Sequence, residues 1–283
     1  MEQKRTIPGV PIDHHPQYRT KKPKAIRNKE RTSIMEQITS LKNPRVQAWR
    51  SLQNPKGRRE QNAFLVEGTR MVREALSSDF PIHALLLRED YLPDFPLRAD
   101  IPTYSLPAHV FASVSDTRTP QGIAAVLSRR VNPLRGSRLL ALDAVQDPGN
   151  VGTIIRTADA AGLDGVLLSP ECADLFSPKV LRSTMGSIFR MSFAFPPSLP
   201  AALRDFREKG FSVLSSQLDG DPFYDRQNVS SSFILIIGNE GNGISDAVQS
   251  EATHRLRLPM RGGAESLNAA VAAGIMMYDL MRS

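Results

Sequence analysis

The chain has 283 residues, 41% of them hydrophobic, and a formal net charge of +7. This content suffices for one large or two modest hydrophobic cores. No run of about 18 apolar residues occurs, so we expect no membrane-spanning helix. The charged, proline-rich start lacks the apolar segment of a secretory signal. A single cysteine, Cys172, excludes an intrachain disulfide and favours a cytoplasmic setting. The cysteine and the histidines do not have the spacing of zinc ligands, so we expect that the protein binds no metal ion.

The positive charge is concentrated near the N-terminus. Residues 1–60 hold 15 Lys and Arg against 5 Asp and Glu, whereas residues 61–283 hold 21 against 24. A basic segment of this kind attracts polyanions such as RNA, mostly without sequence preference. A solvated tail that binds nothing has the same composition, and both interpretations stay open here.

Residues 1–33 are predicted to form a disordered basic tail. The segment is rich in proline and charge and has no apolar periodicity. The triplet Met-Glu-Gln at its beginning recurs at Met35–Gln37, which leaves an alternative start at Met35 open. We expect ordered structure to begin at residue 34.

Residues 34–131 have the pattern of a small α/β domain. Apolar residues at helical spacing predict one helix around Trp49 and a second over residues 68–76. Buried strands are predicted at FLVEG, IHALLLRED and GIAAVLSR. Residues 132–138 then have the turn-rich composition of a linker.

Residues 139–283 repeat the alternation of strands and helices. Strands are predicted at RLLALDAV, GVLLS, FSVLSSQ, SSFILIIG and RLRLPM. Helices are predicted at NVGTIIRTADAAG, SPKVLRSTMGSIF, LPAALRDFREKG, ISDAVQSEA and SLNAAVAAGIMMYDLMR. Apolar strands that alternate with helices indicate a mostly parallel sheet covered on both faces.

Three polar, glycine-bearing loops follow predicted strands of this second domain. They are QDPGN, the segment Gly238–Gly243 (GNEGNG), and the segment Pro259–Asn268 (PMRGGAESLN). Any one of them is typical of an ordinary helix cap. Ligands of parallel α/β sheets bind beyond the carboxyl ends of the strands, and three such loops at one edge favour a binding site.

Familiar nucleotide and hydrolase motifs are absent. The chain has no P-loop sequence, and Gly238–Gly243 spaces its glycines unlike the dinucleotide-binding fingerprint. Neither HExxH nor GxSxG occurs. These absences disfavour P-loop NTPases, Rossmann dehydrogenases and ordinary Rossmann methyltransferases.

Taken in order, the three loops and their flanks resemble the three motifs of the SpoU (TrmH-like) RNA 2′-O-ribose methyltransferases of the SPOUT superfamily. PGNVGTIIRTADAAG is similar to motif 1, IIGNEGNGIS to motif 2 and LPMRGGAESLNAAVAAGI to motif 3, and SPKVLRSTMGSIFR to the segment between the first two. Residues 34–131 resemble the ribosomal-protein-like substrate-binding domain that often precedes the catalytic domain. The cues there are NPRVQAWRSL, FLVEGTRMVREAL and DTRTPQGIAAVL.

This resemblance implies a fold, a cofactor and a reaction. The fold would be a parallel-sheet methyltransferase domain at residues 139–283 with a trefoil knot, preceded by an α/β RNA-binding domain. The cofactor would be S-adenosylmethionine, and a homodimer would form through the SPOUT domain, with the site near the subunit interface. The reaction would be 2′-O-methylation of RNA. The N-terminal domain favours ribosomal RNA of the 23S type, and the alternatives are tRNA methylation or a non-catalytic RNA-binding assembly protein.

The resemblance also implies roles for particular residues. It places the catalytic polar positions at Asn150, Arg156, Glu240, Ser266 and Asn268. It places cofactor contacts at Gly238, Asn239, Gly241, Leu258, Met260, Ser266 and Leu267.

Arg156 is the unusual residue of motif 1, a charged side chain among small and apolar neighbours. An arginine stays protonated in proteins, so stabilising a developing 2′-alkoxide suits it better than acting as a base. The structural alternatives are a salt bridge between Arg156 and Glu240, and helix caps at Asn150 and Ser266.

Three further cations follow in the segment between the first two motifs. Lys179, Arg182 and Arg190 either line the path of the RNA or form a solvated helix face.

Overall fold

A computed structural model describes residues 35–282 of the chain, so the tail predicted at residues 1–33 lies outside the described residues. The strands are β1 (Met35–Gln37), β2 (Ala63–Glu67), β3 (Ile82–Arg88), β4 (Thr103–Leu106), β5 (Ile123–Ser128), β6 (Asn132–Pro133), β7 (Arg138–Leu142), β8 (Gly165–Leu168), β9 (Ser192–Ala194), β10 (Ser212–Pro222), β11 (Phe233–Ile237) and β12 (His254–Arg257). The helices are α1 (Pro44–Ser51), α2 (Pro55–Glu60), α3 (Thr69–Leu76), α4 (Ala108–Val114), α5 (Pro148–Ala161), α6 (Pro178–Thr184), α7 (Leu199–Glu208), α8 (Asp246–Gln249) and α9 (Ala269–Leu280).

The first sheet has the order β1-β4-β3-β5-β2 and mixed directions. Strand β5 is antiparallel to β2 and β3, whereas β4 is parallel to β3 and to β1. The three predicted strands of this region are confirmed as β2, β3 and β5. The strands β1 and β4 were not predicted, because β1 is exposed throughout and β4 buries only Leu106 fully, so neither has a strong apolar pattern.

The second sheet has the order β12-β10-β11-β7-β8-β9-β6, and all its pairs are parallel. Successive residues of β7 face opposite sides, as the two-residue period of a strand requires. Leu140 packs in the cluster that contains α5 and α9, whereas Leu139 packs in the cluster that contains α7 and α8. The predicted parallel sheet with both faces covered is therefore confirmed. The knot stays a prediction, since strand order does not define how α9 is threaded.

Local signals in the sequence explain where the helices near the loops begin and end. Helix α5 starts after Asp147, whose side chain accepts from the Asn150 amide at 2.8 Å, and stops at Gly162 with φ +83°. Helix α6 is shorter than predicted. It ends at Thr184, the capping residue Met185 has a φ of +50°, and a 3-10 turn over Ser187–Phe189 follows.

The two sheets share one continuous hydrophobic core. Phe64 of β2 packs against Phe176, which follows β8, with ring centroids 5.0 Å apart and planes tilted by 48°. The buried Arg58 of α2 contacts Asp174 in the same loop. The segment predicted as a linker contributes β6, which pairs with β9 of the second sheet. The domain boundaries stay a proposal, but residues 132–133 are part of the second sheet and not of an unpaired linker.

Residues 35–282 contain neither a membrane-spanning helix nor a cluster of metal-ligating side chains. No helix there is long and apolar enough to cross a bilayer. Nor do three His, Cys, Asp or Glu side chains in that range gather where they could hold a metal ion.

Candidate active site

Loops that follow β7, β11 and β12 meet at the carboxyl edge of the second sheet. The loops after β11 and β12 border a cavity of about 690 Å³. Its walls include Gly238–Ile244 after β11, and Leu258, Met260 and residues 265–269 of the segment that leads into α9. The cofactor positions implied by the resemblance all line this cavity: Gly238, Asn239, Gly241, Leu258, Met260, Ser266 and Leu267. Their role in binding stays a prediction.

Glu240 joins the loop after β11 to the loop after β7. One of its oxygens accepts from the Asn150 side-chain amide at 2.9 Å and from the Asp147 backbone amide at 3.1 Å. The other accepts from the Gln146 backbone amide at 3.2 Å. One carboxylate of the loop after β11 thereby holds three residues that follow β7.

Asn268 adds the third loop to this arrangement. Its side-chain nitrogen donates to the Asn150 carbonyl oxygen at 3.0 Å, and its own oxygen accepts from the amides of Ala270 and Val271 at the start of α9. An ionised carboxylate can only accept, so Glu240 requires Asn150 to present its nitrogen on that side. Asn150 must then offer its oxygen to Asn268. Every donor therefore meets an acceptor in the series of hydrogen bonds that runs from the start of α9 through Asn268 and Asn150 to Glu240.

Two further side chains hold the loop after β11 in place. Asn239 donates to the carbonyl of Ala144 at 2.8 Å and accepts from the amides of Gly241 and Asn242 at 2.9 Å. Asp143, buried at the end of β7, accepts from the Ser245 amide at 2.7 Å. Asn239 therefore shapes the loop in addition to lining the cavity.

Hydrogen bonding favours the ionised forms of Glu240 and Asp147. Desolvation opposes ionisation of Glu240, but the bonds from Asn150 and the loop amides outweigh it and hold the pKa of Glu240 below its usual range. The Asn150 amide, helped by Lys179, lowers the pKa of Asp147. Neither carboxylate is poised to accept a proton near neutral pH.

Arg156 does not join this network. It lies six residues beyond Asn150 on α5, which rotates it by about 240° and moves it about 9 Å along the axis. Its side chain is exposed and has no hydrogen bond or ion pair within residues 35–282. The salt bridge to Glu240, one structural alternative for Arg156, is thus not formed.

The three cations after motif 1 each have an acidic partner. Lys179 lies 3.3 Å from Asp147, and Arg182 lies 2.7 Å from Asp116 of the first sheet region. Arg190 pairs with Glu74 at 2.5 Å and with Asp159 at 2.7 Å. All three remain partly exposed. The structure gives them structural partners, and their contact with RNA stays a prediction.

Sequence reasoning missed one wall of the cavity, formed by Ser216–Asp219 of β10. Both Ser216 and Asp221 pair with Leu256 of β12, so residues 217–220 form a bulge that turns Leu218 and Asp219 toward the cavity. A Cβ at Gly220 would lie 2.6 Å from the backbone of β12, so only glycine fits there. The Asp-Gly pair inside an apolar strand was the available signal.

Residues 137–278 match the SpoU rRNA Methylase family, and residues 43–125 match the MRM3-like substrate binding domain. The chain belongs to the SpoU rRNA methylase family. The family and the fold class inferred from the sequence motifs are therefore confirmed.

Members of this SpoU family resemble the chain over nearly their whole length. The 23S rRNA (guanosine(2553)-2′-O)-methyltransferase RlmP of Bacillus subtilis (strain 168) is 42% identical over 247 residues, which cover 87% of this chain and 99% of that protein. The 23S rRNA (uridine(2479)-2′-O)-methyltransferase of Streptomyces viridochromogenes is 31% identical over 272 residues, covering 89% and 94%. The solved AdoMet-bound rRNA methyltransferase from Sinorhizobium meliloti has a TM-score of 0.78 at 32% identity, covering 88% and 98%.

Proposed function

We propose that this SpoU-family protein is an S-adenosylmethionine-dependent enzyme that methylates a ribose 2′-hydroxyl in ribosomal RNA of the large subunit. Two full-length relatives carry names that describe 23S rRNA 2′-O-methylation. The observation that carries the proposal is the chain of hydrogen bonds from Glu240 through Asn150 to Asn268 beside the cavity. It fixes polar groups of all three motif loops relative to one another, which is the preorganisation that catalysis requires.

The cavity fits the proposed cofactor in size and chemistry. Its volume of about 690 Å³ lies within the range of small-molecule sites. Leu258 and Leu267 supply apolar wall for a purine, and the glycine-rich backbone of the loop after β11 permits close approach. When bound, S-adenosylmethionine supplies a methyl group already activated by its sulfonium. No step of this scheme calls for a metal.

Within this scheme, the protein orients the ribose and stabilises oxygen as its proton leaves. Asn150 and Asn268 are held in one orientation and can position the hydroxyl. Arg156 supplies a planar cation that can stabilise the developing alkoxide or bind an adjacent phosphate. Glu240 positions Asn150 and is a poor base, since its acceptor oxygens are already bonded.

The same proposal includes a homodimer through α5 and α9. These helices pack side by side, with Gly274 against Thr157. On α9 the exposed side chains Val271, Ile275 and Tyr278 recur at helical spacing, 51%, 37% and 52% exposed. An exposed apolar stripe of this kind is typical of an interface. A dimer there would bring Arg156, which is exposed on the adjoining α5, to the subunit boundary.

RNA is proposed to approach along α6 from the first sheet region. Lys179 adjoins the loop after β7, and Arg182, one turn later, touches Asp116 of the first sheet region. The cations thus connect the part of the chain that matches a substrate binding domain with the candidate site. Action on ribosomal RNA implies a cytoplasmic enzyme, consistent with the lone cysteine.

Mapping ribose methylation in cells with and without the gene tests this proposal. We expect one 2′-O-methyl group to disappear from 23S-type rRNA and to return with the wild-type gene, but not with Asn268→Ala. Loss of a methyl group from tRNA instead would identify tRNA as the substrate. An unchanged methylation pattern would favour the non-catalytic assembly protein and contradict the proposed enzyme.

A further inference from the structure

Within residues 35–282, every charged side chain that lines the proposed cofactor cavity is a carboxylate. Asp219, Glu240 and Glu265 contribute to its walls, whereas no Lys, Arg or His within residues 35–282 does so. The acidic groups come from three separate elements: the bulge of β10, the loop after β11 and the loop before α9. The negative lining is therefore contributed by three different parts of the wall.

Two of these carboxylates have no partner in the structure. Glu240 is bonded to Asn150 and to two loop amides. Asp219 and Glu265 are exposed and make no hydrogen bond or ion pair within the described range. Asp219 is turned toward the cavity by a bulge that Gly220 alone permits. Arg261, which lies in the same loop as Glu265, is not among the residues that line the cavity.

We infer that Asp219 and Glu265 discriminate S-adenosylmethionine from its demethylated product by charge. This inference rests on the proposed function. In methyl transfer the sulfur–carbon bond of the sulfonium breaks, a bond from carbon to the ribose oxygen forms, and the hydroxyl proton passes to base or water. Sulfur thereby loses its positive charge. A negative cavity attracts the sulfonium form more strongly than the neutral thioether product, which favours product release.

The magnitude of the effect follows from Coulomb's law. A unit charge about 4 Å from another in a water-like medium contributes about a fivefold change in affinity. Removing either carboxylate should therefore weaken S-adenosylmethionine about fivefold and S-adenosylhomocysteine less than about twofold. Salt of about 0.5 M should reduce the difference, because the groups are exposed.

Calorimetric titration of full-length Asp219→Asn and Glu265→Gln with both ligands tests the inference. Sinefungin, which carries an ammonium group in place of the S-methyl, provides a third ligand that is cationic but cannot donate a methyl group. The matched control is Asp221→Asn, since Asp221 is exposed on the same strand but does not line the cavity. Melting temperatures verify that each variant is folded.

Weaker binding of S-adenosylmethionine and sinefungin, with little change for S-adenosylhomocysteine and none in the control, is the expected result. Equal weakening of all three ligands, or no change in any, would overturn the charge inference while leaving the proposed function intact. If the folded wild type binds neither S-adenosylmethionine nor S-adenosylhomocysteine, the proposed function fails and this inference fails with it.

Discussion

The side-chain amide of Asn268 donates to the side-chain oxygen of Asn150 at 3.0 Å, although 118 residues separate the two along the chain. Asn150 in turn donates to Glu240, so one directional chain of hydrogen bonds links the loops after β7, β11 and β12. The direction is set at one end by a carboxylate and at the other by the amides at the start of α9. Changing either end should disturb all three loops.

Glu240→Gln should disconnect this chain. A glutamine amide offers one acceptor oxygen where the carboxylate offers two, and its N–H groups would face either the Gln146 amide or the donors of Asp147 and Asn150. Hydrogen bonds to charged groups contribute about 1.5–3 kcal/mol, so we expect methyl transfer to fall about 10- to 100-fold. Single-turnover methylation at saturating cofactor measures this loss. Glu265→Gln is the matched control and should retain turnover at saturation. Wild-type turnover by Glu240→Gln would refute the positioning role.

Arg156→Ala should lower turnover without lowering stability. The side chain is exposed and has no partner within residues 35–282, so its removal breaks no contact in the subunit. Loss of one transition-state donor typically costs about 10²-fold or more in rate. Arg156→Lys should restore little of the lost turnover, because the ammonium group of lysine does not reproduce the planar set of donors of a guanidinium group. If Arg156→Ala instead lowers the melting temperature, and turnover falls only in proportion to the fraction of unfolded protein, the role of Arg156 is structural.

Asp174→Ala should destabilise the junction of the two sheets. Arg58, only 2% exposed, donates to Asp174 at 2.7 Å, and its remaining bond is to the Leu52 carbonyl. An uncompensated buried charge costs about 3 kcal/mol or more, measurable as the free energy of unfolding in urea. Asp116→Ala removes the partner of the exposed Arg182 and should cost under about 1 kcal/mol. Equal effects of the two substitutions would contradict a special role for the buried pair.

Gly220→Ala should weaken cofactor binding by moving the bulge of β10. The added methyl would lie 2.6 Å from backbone atoms of Arg255 and Leu256, which cannot give way without disturbing β12. We expect the affinity for S-adenosylmethionine, measured by calorimetry, to fall at least about tenfold. A strain of about 1.4 kcal/mol in the bound state is enough for a tenfold loss of affinity. Gly262→Ala is the control, because a Cβ there meets no atom within 4 Å. Unchanged affinity in Gly220→Ala would show that the bulge contributes nothing to the site.

Much of the fold follows from local patterns. Apolar runs predicted the central strands β7 and β11, and glycine with amides marked the loops that border the cavity. Other features depend on contacts that no local pattern contains. Arg182 pairs with Asp116 across 66 residues and Arg190 with Glu74 across 116, so their ion pairs could not be anticipated. The bulge of β10 is likewise fixed by its pairing with β12, which only the folded sheet defines.

Transfer of isotope-labelled methyl from S-adenosylmethionine to large-subunit ribosomal RNA, followed by alkaline hydrolysis, tests the central claim most directly. Alkali cleaves RNA through the free 2′-oxygen, so a ribose methylated there leaves its label in an alkali-stable dinucleotide. We predict label in one such dinucleotide with wild-type protein, and loss of nearly all of it with Arg156→Ala. Label found in mononucleotides would indicate a methylated base, and no label at all with folded, cofactor-bound protein would indicate no transfer. Either result would contradict ribose 2′-O-methylation by this protein.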